Sequence, residues 1–276
     1  MNEQRIILDL TGYLAFMQEE ELTPRTQMTY INAVAGYFEE FGELTKENVL
    51  AWKTELSKRC SASTVNLYLS AVRHYAKFQE KAIPVKSLKI QRINSVENVI
   101  SDDDYRYLMD KLFDEERQWY YNILILAKTG ARISEAVRLR KRDFMKGYAR
   151  FESKGKVRKI LIPSCLKREL EGYLYYLKPE DFVIRAKSAK WSGLEPMQTA
   201  SFYNALQRFA KRYGIAPEVM HPHSFRHHFA IKVYESTGNI SFVSDMLGHS
   251  SINTTAIYTR MSSNQQQKML DSALNW

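Results

Sequence analysis

The sequence predicts a mainly α-helical chain of two domains, the second holding a small β-sheet. Three observations lead there. Apolar residues recur at helical spacing along most of the chain, and strand-like runs are confined to GYARFES and VRKILIP in its middle. The helical period lapses between 80 and 98, where Pro84 and several lysines interrupt it. Finally, 276 residues exceed what one hydrophobic core usually serves.

The first domain, residues 1–80, reads as a helical bundle. Segment 4–19 is its first helix. Thr23-Pro24 opens the second, because threonine caps and proline is tolerated in a first turn, and Gly42 closes it. Thr45 opens the third. Ser61 or Ser63 caps the fourth, which gathers Val65, Leu69, Val72 and Tyr75 or Ala76 on one face and puts Arg73 and Lys77 on another. Residues 81–98 form a basic interdomain linker, and residues 99–276 form the second domain. Ser101 with Asp104 resembles a capping box with Asp in place of Glu. The run WYYNILILAKTG is a buried helix ended by Gly130, and the two strands flank a turn at Lys154-Gly155-Lys156. Further helices are predicted at 164–177, 199–213, 223–236, 240–247 and 251–258.

Composition narrows the function classes. Hydrophobic residues at 45% and charged residues at 26% fit an ordinary globular chain and argue against disorder or a fibrous repeat. The start MNEQRIILDL is too polar for a signal peptide, and no stretch approaches the ~20 apolar residues of a membrane span, so a cytoplasmic protein without a membrane partner is expected. Cys60 and Cys165 stand apart with no second cysteine nearby, and read as reduced bystanders. A net charge of +9 points to a polyanionic partner. Residues 1–95 hold 12 Lys+Arg against 11 Asp+Glu and residues 96–276 hold 28 against 20, so the excess belongs to the second part.

Four segments of that part can carry chemistry: TGARISEAVRL with Arg132, ESKGKVRKILIP with Lys154, HPHSFRHHFA with His223 and Arg226, and LGHSSINTTAIYTR with His249 and Tyr258. Their order and chemistry resemble the tyrosine recombinase family of phage integrases and Xer-type enzymes. The resemblance covers the whole second domain, and the helical first domain matches the family's core-binding domain in size and position. It implies that Arg132 and Arg226 are the catalytic arginines, with Glu135 the acid that follows the first. It further implies that Lys154 is the lysine of the hairpin turn, His223 and His249 the catalytic histidines, and Tyr258 the nucleophile. The stretch from Lys154 to Pro163 is one residue longer than the common family pattern, which leaves Lys156 as a rival for the lysine's role.

The residue types suit the reaction. An oxygen attacking a phosphodiester builds negative charge on the nonbridging oxygens, and guanidinium groups stay charged and grip two oxygens at once. A free tyrosine titrates near pH ~10, so Tyr258 needs a proton acceptor, for which His223 is the candidate. The leaving 5′ oxygen needs a proton, which Lys154 can supply. His249 adds a hydrogen bond. Considered singly, the residues have plainer readings. Arg132 and Glu135 form an ordinary helix salt bridge, and His221, His223, His227 and His228 suggest a metal cluster. Against a metal, no cysteine pair or H-E-x-x-H pattern accompanies them, and Arg226 opposes a cation.

The resemblance also implies a C-shaped clamp on double-stranded DNA with an inverted-repeat core site, and four subunits exchanging strands on two sites through a Holliday junction. No cofactor or metal is expected. Accessory DNA-binding proteins are a further partner class. Arg25, Lys53, Arg73 and Lys77 are the first domain's candidate DNA contacts, each of which alone reads as a solvated charge. The tail residues Met269, Leu270, Ala273, Leu274 and Trp276 dock on a neighbour or pack on their own domain. The biological task is integration and excision of a mobile element or chromosome-dimer resolution. Two rivals remain: a type IB-like topoisomerase, marked by relaxation of plasmids lacking a specific site, and a DNA-binding regulator that does not cut.

Overall fold

A computed structural model describes residues 9–90, 98–153, 156–185 and 195–248, with Thr255, Asp271 and Leu274; the side chains of Ser153 and Lys156 are outside it. The chain divides into two compact units, Met1–Arg92 and Ile93–Trp276. Each has its own hydrophobic core.

The first unit is four helices: α1 (Leu10–Glu19), α2 (Pro24–Phe41), α3 (Lys46–Arg59) and α4 (Ala62–Phe78). Asp9 caps α1 by accepting from Gly12 N at 2.7 Å, and the expected start of this helix at residue 4 lies outside the described residues. Thr23, Thr45 and Ser61, not Ser63, cap the other three. Val65, Leu69, Val72, Tyr75 and Ala76 of α4 are all buried against the core, as a single apolar face requires.

The segment after α4 is more than a solvated connector. Val85 is buried, and Ile83 and Leu88 pack against the same core. Asn66 of α4 brackets Leu88, accepting from its N–H at 2.7 Å and donating to its carbonyl at 3.0 Å. Lys53 Nζ donates to Lys86 O at 2.7 Å, and Arg73 reaches Ser87 Oγ at 3.0 Å while also bonding Leu69 O.

The second unit begins with α5 (Asp102–Glu115), capped by Ser101, and α6 (Arg117–Thr129). Ile123 to Ala127 of α6 are all buried, which places this helix inside the core. Two short helices that the sequence did not reveal follow, α7 (Ile133–Ala136) and α8 (Lys141–Lys146). Strands β1 (Tyr148–Ser153) and β2 (Lys156–Leu161) form the only sheet among the described residues, antiparallel with Ser153 opposite Lys156. The expected helix 164–177 is two shorter ones, α9 (Ser164–Glu169) and α10 (Glu171–Tyr175), parted at buried Leu170. Then come α11 (Thr199–Tyr213), a 3-10 turn at Pro217–Val219, α12 (Pro222–Thr237) and α13 (Ile240–Leu247). The expected helix at 251–258 lies outside the described residues except for Thr255, which is fully buried. Among the described residues no helix is long and apolar enough to cross a membrane.

Candidate active site

The site assembles around the C-terminus of α6. Gly130 ends that helix in a left-handed conformation, φ +58°, and a Cβ there would overlap the Phe229 ring of α12. The turn this permits sets Arg132 as the N-cap residue of α7. Glu135, three residues on, reaches back and accepts from the Arg132 backbone N–H at 2.8 Å. Its other oxygen takes the Arg132 guanidinium at 3.2 Å. The ordinary salt-bridge reading of this pair is therefore true in geometry, yet the Arg132 side chain remains 41% exposed and presents its charge outward.

Arg226 arrives from the first turns of α12 and is buried to 3%. Nη1 donates to Gly130 O at 2.7 Å and Nη2 to Leu247 O at 2.6 Å. Both acceptors end helices, α6 and α13, where carbonyls lack helical partners and a cation is favoured. One guanidinium thus ties the Arg132 turn to the segment that leads toward His249.

His223 lies one turn before Arg226 and reaches the surface. Its pKa is lowered, first by partial desolvation and then by the positive charges of Arg226, His221 and Arg132. The imidazole is accordingly held neutral and able to take a proton. His221 caps α12 by accepting from Ser224 N at 3.1 Å, and its pKa is lowered too, chiefly by burial. His228 points elsewhere, pairing with Asp102 at 2.8 Å and packing on Tyr105. His223 and His227 have ring centroids 6.3 Å apart.

A third guanidinium joins the cluster. The strand period places Arg158 on the face of β2 shared with buried Ile160, opposite Phe151 of β1. Its Nη1 pairs with Glu135 Oε2, and Nη2 donates to Met246 O at 3.3 Å. The side chain is only 11% exposed, and burial lowers its pKa while Glu135 opposes that shift. The sequence carried one faint signal for it: a charge two residues before apolar Ile160, hence on the same face of the strand.

Lys154, His249 and Tyr258 lie outside the described residues, as does the side chain of Lys156. The four candidates of the first unit are placed. Arg25 is exposed, Lys77 pairs with Glu20 at 2.5 Å, and Lys53 and Arg73 hold the 85–88 segment.

What the second unit presents is three arginines against one glutamate around a helix-end junction, a net positive charge of which Arg132 is the exposed member that can meet an anion. Residues 95–265 match the Phage integrase family. The tyrosine recombinase XerA of Pyrococcus furiosus is 25% identical over 272 residues, covering 96% of this chain and 93% of its own. The tyrosine recombinase XerD of Rickettsia bellii is 25% identical, covering 98% and 90%. Among solved structures, a lambda integrase dimer bound to a core site shares the fold with TM-score 0.71 at 17% identity, over 91% of this chain and 94% of that one.

Proposed function

The chain belongs to the phage integrase family, and from that premise we propose that it recombines DNA at specific sites through a covalent 3′-phosphotyrosine bond to Tyr258. The observation that most supports this reading is the convergence of Arg132 and Arg226 on one turn beside a histidine kept neutral. The names of its relatives, tyrosine recombinases XerA and XerD, and the core-site DNA bound by lambda integrase favour double-stranded DNA as substrate.

In this mechanism the Tyr258 oxygen attacks the scissile phosphorus, forming the P–O(Tyr) bond as the P–O5′ bond breaks. His223 accepts the phenol proton, and Lys154, or Lys156 beside it, gives a proton to the leaving 5′ oxygen. Arg132, Arg226 and His249 meet the charge on the nonbridging oxygens. The phosphotyrosine conserves the bond, so a 5′ hydroxyl from another strand reverses the step without an external energy source. Repeated on two strand pairs by four subunits, the step passes through a Holliday junction. It serves integration, excision and dimer resolution alike.

The test uses nicked fragments of genomic DNA from the organism that carries the gene. A nick close to the cut lets the short 5′-hydroxyl piece escape and traps the adduct. Wild type is expected to give detergent-stable protein–DNA adducts whose sequences share an inverted repeat, and Tyr258→Phe none. An adduct from Tyr258→Phe, or none from wild type on any fragment, defeats the reading.

A further inference from the structure

We propose that Arg158 is a positioning residue for DNA cleavage, fixing Arg132 through Glu135 and tying the hairpin to the end of α13; this rests on the recombinase reading above.

The geometry has two arms. The first ends on Glu135 Oε2, the same oxygen that accepts the Arg132 backbone N–H at 2.8 Å. Glu135 thus serves two arginines, and only one of them, Arg132, is exposed to a ligand. Without Arg158, the glutamate would carry its whole negative charge against Arg132 and draw that guanidinium inward, away from a phosphate. With Arg158 in place, the carboxylate is neutralised from behind and Arg132 keeps its outward charge. The second arm ends on Met246 O. Next to it Gly248 turns with φ +61°, and a Cβ there would collide with the Arg158 side chain, 2.6 Å from Cδ. The backbone just before His249 is therefore moulded on Arg158. Its strand, β2, also begins two residues after Lys154 in the chain. One side chain so touches the hairpin, the Arg132 turn and the end of α13.

Arg158 is distinct from a merely structural core residue in a way that can be measured. A duplex captured as a wild-type adduct is made with an ordinary phosphate or a methylphosphonate at the scissile position. Single-turnover cleavage at saturating protein is compared with duplex binding by gel retardation. Arg158→Met is expected to bind duplex within about threefold of wild type and cleave it at least ~30-fold more slowly, as lost orientation predicts. Its penalty is expected to shrink on the methylphosphonate, where less charge awaits Arg132. Glu135→Gln is expected to slow cleavage as well, and the double variant to be no slower than the slower single one, because both act through one contact.

Arg158→Met cleaving within threefold of wild type, penalties that multiply in the double variant, or an unchanged penalty on the methylphosphonate would each overturn the inference. Should Arg158→Met fail to fold by circular dichroism, Arg158→Lys replaces it. Lysine keeps a charge for Glu135 but lacks a second arm for Met246, so an intermediate rate is expected and a wild-type rate overturns the two-armed role. A wild type that forms no adduct defeats the recombinase reading and this inference together, whereas a cleaving wild type matched by Arg158→Met defeats the inference alone.

Discussion

Arg132 and Arg226 are the same residue type in one cluster, yet their surroundings assign them different penalties. Arg226 is buried and satisfies two carbonyls. Its replacement by alanine should cost about 2–4 kcal/mol in urea unfolding, since two buried acceptors lose a charged donor, in addition to abolishing cleavage. Arg132 is 41% exposed, and Arg132→Ala should abolish cleavage while costing less than about 1 kcal/mol. Equal stability losses in the two variants would contradict this division. His223 makes a pH prediction. With its pKa lowered, the cleavage rate should rise with pH and reach half its plateau below the ordinary histidine value of about 6.5, and His223→Gln should remove that limb. The stability sign is the same. Folding depresses the pKa, so the unfolded chain binds more protons below pH ~6.5, and this share of stability is present above that value and lost as pH falls. His221 adds in the same direction. At this scale the sequence was most legible where a motif was local: Glu135 is three residues from Arg132. Arg158 was not legible, because its partners are 23 and 88 residues away, and a lysine-rich hairpin looks solvated when its facing is unknown.

Elements long enough to show a period were readable, and short ones were not. The second, third and fourth helices appear with the caps the sequence offered at Thr23, Thr45 and Ser61, since each cap is a local bond within three residues. Helices α7 and α8, of four and six residues, complete no repeat and take their caps from Glu135 and Asp143. Gly130 links an element to the chemistry. Gly130→Ala forces a left-handed residue to carry a Cβ into the Phe229 ring and should cost at least ~1 kcal/mol, seen as a lower melting temperature. Because Arg132 stands two residues on, cleavage should slow in the same variant; unchanged melting and cleavage would show the turn to be indifferent. In the first unit, the 85–88 segment separates two kinds of cation. Arg73→Ala should expose this segment to protease and leave the salt dependence of DNA binding unchanged, whereas Arg25→Ala should reduce the salt slope by about one and leave proteolysis alone. A slope change in Arg73→Ala would restore it as a phosphate contact.

The whole molecule is two cores on one chain, and the charge is unevenly shared between them. Residues 1–92 carry 12 Lys+Arg and 11 Asp+Glu, and the rest carry 28 and 20, leaving +1 and +8. Each fragment, 1–92 and 93–276, should unfold cooperatively by itself, because neither borrows its core from the other. Fluorescence anisotropy against salt should give most of the DNA-binding slope to 93–276. The connection between them is anchored at both ends in a telling way. At one end Asn66 grips Leu88, and at the other Ile100 N donates to Ser224 Oγ at 2.8 Å while Asp102 pairs with His228 and Lys232. Ser224, His228 and Lys232 belong to α12, the helix of His223 and Arg226. In mechanical terms that helix is the bearing of the second unit: tension on the connection is delivered within that unit to the helix that carries His223, the proposed proton acceptor, and Arg226, the proposed partner of the scissile phosphate.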